Sequence, residues 1–348
     1  MNESRQLARF VSELKYEHLP PEVIARAKDL ILDQVGIMMG VSTLPWSKIV
    51  YEYVREWGDE KRESTIAHYG YKTKAENAVF ANSSFGHGFE IDDHYLPGQS
   101  HPGCIVVPSA LAMAEKESAT GKDVILAVAA GYEVMGRINK AIVPSCILRG
   151  FHAPTSITGP FGAAAVAGKV LNFDPELMVH ALSIAGSHAG GTIEYDQSGG
   201  SVKRMHAGMA AHGGLRSAFL AQKGLTGPPT ILEGKHGFCQ AFADKYNLQE
   251  ITDNGQIEKR CRAPGQGRLL QGPAPEPDDT GRIRTEVPRT GLGSSRQESG
   301  GRNHQCCWSA GSAKRYVGFD FVDVPMTAFQ RRRDALFGVA CVRALFAV

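Results

Sequence analysis

Apolar residues recur every three or four positions through about the first 250 residues of this 348-residue chain. Between Leu7 and Leu14 this spacing predicts a first helix with one buried face. A second helix is predicted to begin at the Pro20–Pro21 pair, since proline is tolerated in a first turn, and to end near Gly36 or Gly40. The same spacing predicts five further helices, at Lys48–Trp57, Ala75–Phe85, Val107–Glu117, Lys122–Ile142 and Pro175–Gly186. Because alternating strand patterns are scarce between them, we expect a mainly α fold.

Two segments are dominated by glycine and alanine, at Gly159–Gly168 and Ala181–Gly191. Small side chains allow helices to approach one another closely. Direct contact with a ligand is the alternative explanation for such segments. Crowded helix crossings are the commoner reason for them, so we favour an architectural role.

The composition changes after Ile257. From there to Arg315 roughly a quarter of the residues are Gly or Pro, Arg is frequent, and apolar periodicity is almost absent. A segment of this kind has too little apolar surface to form a packed core, so we expect 257–315 to be poorly ordered. Beyond it, Val317–Val322 alternates like a strand and Asp334–Ala347 has helical spacing.

The overall charge excludes some kinds of partner. Lys and Arg number 38 against 36 Asp and Glu, so the chain lacks the basic character expected of a protein that binds nucleic acid or an anionic membrane. The seven cysteines are scattered and include no C-x-x-C pair, which argues against a disulfide framework or a zinc ribbon. The N-terminus is polar and the longest apolar runs are too short to span a bilayer. We therefore expect a cytoplasmic protein.

The densest polar cluster runs from His87 to His101, with three histidines and three carboxylates within fifteen residues. Such side chains can bind a metal, or they can supply general acid and base groups to a pocket. A solvated junction between a helix and a loop is a third interpretation. His87, His94 and His101 are seven residues apart, but Pro97 and Gly98 interrupt any helix that would align them. The spacing leaves these alternatives open.

Two other segments combine glycine with polar side chains. His152 stands in a loop that enters the alanine-rich helix, where nearby hydroxyl groups at a helix start could bind a carboxylate or phosphate. Lys203 and Arg204 follow a Gly-Gly turn and could neutralise a substrate carboxylate. The alternatives are a surface or packing histidine and a solvated basic turn.

Taken in order, these segments resemble the successive signature regions of the MmgE/PrpD family, whose members include 2-methylcitrate dehydratase and cis-aconitate decarboxylase. Glu90–His94 followed by His101-Pro102 resembles the family's D-F-D-D-T segment and its H-P pair. Gly150–His152 resembles its G-F-H segment, and Lys203–Gly208 its K-R-x-H-x-G segment. Gly224–Gly234 resembles the connector G-x-T-G-P-x-x-x-L-E-G that follows.

The resemblance implies a cofactor-independent lyase that dehydrates or decarboxylates a small polycarboxylate, without a metal, in a homodimer. It implies a large helical domain, here residues 1–256, and a smaller α+β lid, of which 316–348 would be a remnant beyond the aberrant segment 257–315. The family pattern implies these catalytic positions: Glu90, His94, His101, His152 and Lys203. We further expect contact with the substrate from Asp92, Asp93, Arg204 and His206.

This chain departs from the family pattern at two of these positions. Glu90 stands where the family has Asp, and His94 where it has Thr, which affects the expected substrate more than the reaction class. Two other functions fit parts of this sequence. The aberrant segment after Ile257 fits a catalytically impaired remnant that retains the helical, dimerising domain. The His87–His101 cluster would serve a metal-dependent hydrolase.

Overall fold

The computed structural model describes residues 2–58, 60–152 and 155–252. These residues have a mainly α fold, as predicted. The α-helices are Glu3–Glu13 (α1), Pro21–Val41 (α2), Pro45–Trp57 (α3), Ala75–Gly86 (α4), Gly103–Glu117 (α5), Gly121–Ile142 (α6), Ser145–Leu148 (α7), Thr155–Val170 (α8), Pro175–Gly186 (α9), Tyr195–Ser198 (α10), Lys203–Gln222 (α11), Phe238–Phe242 (α12) and Gln249–Thr252 (α13). Short 3₁₀ turns occur at Tyr16–His18 and Leu96–Gly98. Ser64–Thr65 (β1) pairs antiparallel with Lys72–Thr73 (β2).

The described residues do not include the segment predicted to be poorly ordered, 257–315, or the predicted remnant of the lid, 316–348. Within the described part of the chain, every helix is too short or too polar to cross a bilayer.

All seven predicted helices are present, but some of them begin at a different residue from the one predicted. The second begins at Pro21, as predicted. α3 begins at Pro45 rather than at Lys48, because a proline again occupies the first turn. α5 begins at Gly103 rather than at Val107. Its first turn is capped by a distant side chain, since the Gly103 N–H donates to Oδ1 of Asp93 at 2.8 Å, and apolar spacing cannot report such a cap.

The core is built around α8. Each of its residues from Thr155 to Gly168 is buried, and it packs against α5, α6, α9 and α11. The approach to α11 is close, since a Cβ added to Gly214 would lie 2.4 Å from Cβ of Ala163 and 2.5 Å from the Pro160 carbonyl oxygen. The glycine and alanine segment at 159–168 therefore has the architectural role that we favoured.

The same packing brings several chain ends together. α4 ends at Gly86, and the loop 87–102 leads from it to the start of α5. His152 precedes the start of α8, and Lys203 opens α11. Side chains from the end of one helix and the starts of three others therefore meet in one region.

Candidate active site

Asp92 is the anionic centre of this region. Nδ1 of His87 donates a hydrogen bond to Oδ2 of Asp92 at 2.7 Å, and Nδ1 of His101 lies 3.5 Å from the same oxygen. Burial by itself raises the pKa of Asp92, but the hydrogen bond from His87 and the electrostatic interactions with His87 and His101 outweigh it and lower that pKa below its usual range. Asp92 is therefore an ionised carboxylate that orients two imidazoles.

A continuous series of imidazole rings extends from this centre. The ring centroids of His87 and His101 are 5.1 Å apart, and those of His101 and His94 are 5.0 Å apart in a stacked arrangement. In the other direction His87 stacks on His152 at 5.7 Å, and His152 contacts His206 at 4.9 Å. Three histidines that no helix could align are thus brought together by the loop 87–102.

His152 and His206 form a direct hydrogen bond. Their Nδ1 atoms lie 2.8 Å apart, and the residues are 2% and 7% exposed. Burial lowers the pKa of both rings, with further lowering by His87 and Lys203, to about 2 for His152 and about 4 for His206. Burial also lowers the pKa of His101, against the opposing attraction of Asp92. These three rings are neutral at neutral pH and can each donate one proton and accept another.

Lys203 lies at the more open side of the cluster. Its ammonium group forms an ion pair with the Glu90 carboxylate and sits 5.8 Å from the ring centroid of Tyr195. Glu90 has a positive φ of 59°, so the loop turns sharply where it presents this carboxylate. Tyr195 packs edge-on against His152 at 5.2 Å. The pair is only partly buried, which leaves Lys203 within reach of an incoming anion.

Asp93 accepts hydrogen bonds from two neighbouring helices. Its Oδ1 accepts the Gly103 N–H at 2.8 Å and its Oδ2 accepts the Tyr132 hydroxyl at 3.1 Å. Burial, with a smaller contribution from Asp92, raises the pKa of Asp93 to about 6, although the Gly103 hydrogen bond acts in the opposite direction. These contacts fasten the loop to α5 and α6, which gives Asp93 a structural function in this geometry.

Arg204 stacks on an aromatic ring. Its guanidinium carbon lies 4.6 Å from the ring centroid of Trp46, at the start of α3. Nε of Arg204 and Nε1 of Trp46 are buried, and neither has a hydrogen-bond partner among the described residues. A guanidinium held in this way is oriented, and its outer nitrogens can bind a carboxylate.

One group of buried side chains has the composition of a metal site. Ligand atoms of His87, Asp92 and Cys104 lie within 4.8 Å of one another. The Cys104 thiol, however, donates to the His101 carbonyl oxygen at 3.1 Å, and burial raises its pKa well above the ordinary value. Metal binding requires a thiolate, so this environment favours a neutral thiol over a ligand.

The sequence-predicted residues occupy different parts of this arrangement. The five predicted catalytic side chains lie in one connected series of contacts, which also includes His87, Tyr195 and His206. Three of the residues predicted to contact substrate already form hydrogen bonds with other protein groups: Asp92, Asp93 and His206. Which of them contacts substrate stays a prediction. Tyr195, Tyr132 and Trp46 were not predicted, because single aromatic residues in loops and helices have no spacing signal that marks a site.

Comparisons with known proteins identify relatives of this chain. Residues 5–251 match the family model described as the MmgE/PrpD N-terminal domain. Cis-aconitate decarboxylase from Aspergillus terreus is 34% identical over 251 residues, which cover 70% of this chain and 51% of that protein. The Mus musculus cis-aconitate decarboxylase is 31% identical over 254 residues, covering 71% and 51%, and the Homo sapiens enzyme is 31% identical over 246 residues, covering 69% and 50%.

The chain spans about half the length of these curated relatives. The matched range nevertheless includes every predicted site residue, from Glu90 to His206. Both the family model and the relatives cover most of the chain, and this protein therefore belongs to the MmgE/PrpD family.

Proposed function

We propose that this chain carries the catalytic helical part of a cofactor-free lyase that decarboxylates or dehydrates a small polycarboxylate. The observation that carries the proposal is the series of neutral imidazoles that includes the partly buried His101, beside an ionised Asp92, and the buried His152, whose pKa the nearby cation Lys203 lowers further. The names of the relatives, all cis-aconitate decarboxylases, favour decarboxylation of a cis-aconitate-like substrate. A 2-methylcitrate-like substrate is the dehydration alternative.

Binding of a polycarboxylate would begin at the cations. Lys203 is paired with Glu90 and Arg204 is oriented by Trp46, so a substrate carboxylate competes with Glu90 for Lys203 and approaches the outer nitrogens of Arg204. The negative charge of the substrate then raises the pKa of the nearby imidazoles, which burial has lowered. The site can therefore take up a proton as the substrate binds.

Either reaction requires a proton that a side chain of the site delivers to the substrate or to the leaving group. In decarboxylation the carbon–carbon bond to the departing CO₂ breaks, its electron pair remains on the substrate carbon, and an imidazole of His101 or His152 delivers a proton there. In dehydration one imidazole removes a proton alpha to a carboxylate, and a second group protonates the departing hydroxide. Lys203 and Arg204 stabilise the charge that develops on the remaining carboxylates.

The direct test is turnover of cis-aconitate and 2-methylcitrate by the full chain, followed by NMR of the products. His101→Ala and Lys203→Ala are expected to lower kcat/KM by about 10²- to 10⁴-fold while the circular dichroism of the helices is unchanged. Lys223→Ala, at an exposed position after α11, is the matched control. If both active-site variants turn over the substrate at the wild-type rate, the site assignment is rejected.

A catalytically impaired remnant is the alternative. It predicts that the wild-type chain binds a polycarboxylate, measured by calorimetry, but produces neither CO₂ nor a dehydrated product. We also propose a homodimer, for which the exposed apolar residues of α3 provide the surface.

A further inference from the structure

The hydrogen bond between His152 and His206 restricts where their protons can reside. Two Nδ1 atoms 2.8 Å apart cannot both carry a proton, and they attract one another only when one of them does. Both rings are neutral, since burial lowers their pKa values to about 2 and about 4. One ring is therefore the donor at Nδ1 and the other is the acceptor.

The tautomer of His152 follows from that choice. If His206 donates, Nδ1 of His152 is an acceptor and the single proton of this neutral ring lies on Nε2. If His152 donates instead, its Nε2 has a free lone pair and can act only as a base. The second nitrogen of a histidine thus determines what the first can do.

Both rings are fixed in place by their surroundings. The backbone N–H of His152 donates to the Gly191 carbonyl oxygen at 3.0 Å. His206 lies in the first turn of α11, and its Cε1 is so close to Gly191 that an added Cβ there would be 3.3 Å away. The edge of Tyr195 contacts both rings, with centroid distances of 5.2 Å and 5.8 Å. A ring flip that would exchange the two nitrogens is therefore obstructed on several sides.

We propose that His206 is a positioning residue for the reaction: its Nδ1–H donates to Nδ1 of His152 and keeps the proton of His152 on Nε2. When His152 delivers that proton to the substrate carbon, the Nδ1 proton of His206 moves to Nδ1 of His152, and the proton taken up with the substrate stays on Nε2 of His206, so both rings are neutral afterwards. This inference rests on the proposed function, in which decarboxylation needs a proton donor beside the nascent carbanion. It assigns His206 a role through His152, in place of the direct substrate contact expected from the sequence.

The experiment compares three substitutions of His206 in the full chain. His206→Asn places an amide N–H near the position of Nδ1 and preserves the donor. His206→Gln places its amide near the position of Nε2, and His206→Leu removes all polar atoms. His236→Leu, at an exposed position, is the control. The tautomer of His152 is read from ¹⁵N shifts of histidine-labelled protein, with the His152 signals identified by their loss in His152→Gln.

In wild type and in His206→Asn we expect an unprotonated Nδ1 and a protonated Nε2 at His152. In His206→Leu and His206→Gln we expect a mixture of tautomers and a kcat about 10²-fold lower, with KM changed less than about twofold. A protonated Nδ1 at His152 in wild type, unchanged shifts in His206→Gln, or a KM effect without a kcat effect would overturn the proposal. Because the tautomer is measured without substrate, an inactive wild type would reject the proposed function and still leave this inference tested. If His206→Leu does not fold, the comparison of Asn with Gln decides.

Discussion

The Asp92 carboxylate accepts a hydrogen bond from Nδ1 of His87 at 2.7 Å, and both side chains are completely buried. The same oxygen lies 3.5 Å from Nδ1 of His101. One buried anion therefore sets the orientation of two imidazoles that come from opposite ends of the loop 87–102. Its negative charge also partly offsets the effect of burial on His101.

We predict that Asp92→Asn lowers kcat by about 10²-fold or more, because the neutral amide keeps the size of the side chain but removes the charge that supports a proton on His101. The alkaline limb of the pH profile of kcat/KM should move to lower pH, since His101 loses a neighbour that raises its pKa and therefore gives up its proton at lower pH. Steady-state kinetics across pH 5 to 8 measures both effects. Asp29→Asn, at an exposed position on α2, is the control, and wild-type kinetics in Asp92→Asn would contradict the role of the carboxylate.

Local pattern was sufficient to predict the longer helices, but it missed the short helices α7, α10, α12 and α13 and could not predict how the helix ends meet. The apolar spacing between Leu7 and Leu14 predicted α1 because it reports a buried face directly. The association of His87 with His152 depends on packing of α4, α5, α8 and α11, which no local pattern contains. The role of Asp93 was unpredictable for the same reason, since its partners Gly103 and Tyr132 are distant in the sequence.

We predict that the protein purified without added metal contains far less than one zinc or iron ion per chain, and that EDTA leaves its unfolding temperature unchanged. The physical reason is the protonated Cys104 thiol, which donates to the His101 carbonyl oxygen. Elemental analysis measures the metal content, and thermal unfolding with and without EDTA measures the unfolding temperature. A stoichiometric metal that is lost in Cys104→Ser, together with a lower unfolding temperature, would support the metal-dependent hydrolase instead.

The proposed homodimer predicts an effect of substitution on α3. Ile49, Tyr53 and Trp57 follow one another at four-residue spacing and are 64%, 56% and 71% exposed. In an antiparallel pairing of α3 about a two-fold axis at Tyr53, Ile49 of one copy would face Trp57 of the other, so this apolar row matches itself and favours a second copy as the partner. Trp57→Glu is expected to shift the mass measured by light scattering from dimer to monomer. Leu148→Glu, at a position 83% exposed, should leave the mass unchanged, and a dimer that survives Trp57→Glu would place the interface elsewhere.

Stability is predicted to fall as the pH is lowered from about 6.5 towards 4, where 6.5 is the ordinary pKa of histidine. The pKa values of His206 and His212 are lowered by burial to about 4, so the unfolded chain binds protons in this interval before the folded chain does. Asp93 opposes the trend, because its pKa is raised to about 6 and its contribution falls as the pH rises. Urea unfolding at several pH values measures the slope. His212→Gln should reduce that slope, whereas His68→Gln at an exposed position should not; an unchanged slope in His212→Gln would contradict this assignment.

The close approach of α8 and α11 predicts opposite effects for two glycine substitutions that are identical in chemistry. Gly214→Ala would bring a Cβ within 2.4 Å of Cβ of Ala163 and 2.5 Å of the Pro160 carbonyl oxygen, and neither neighbour can move without shifting a helix backbone. Gly36→Ala, within α2, meets nothing within 4 Å.

We therefore expect Gly214→Ala to lower the free energy of unfolding by about 1–3 kcal/mol, the usual cost of overpacking a core. Gly36→Ala should raise it by about 0.5–1 kcal/mol, because alanine loses less conformational entropy in a helix. Urea unfolding of both variants at one pH gives the two values. Since α11 also carries Lys203 and His206 in its first turn, Gly214→Ala should lower turnover as well, through a displaced helix rather than a lost side chain. If Gly214→Ala is as stable as Gly36→Ala, then the small residues are not needed for the helix crossing, and their direct contact with a ligand becomes the better explanation.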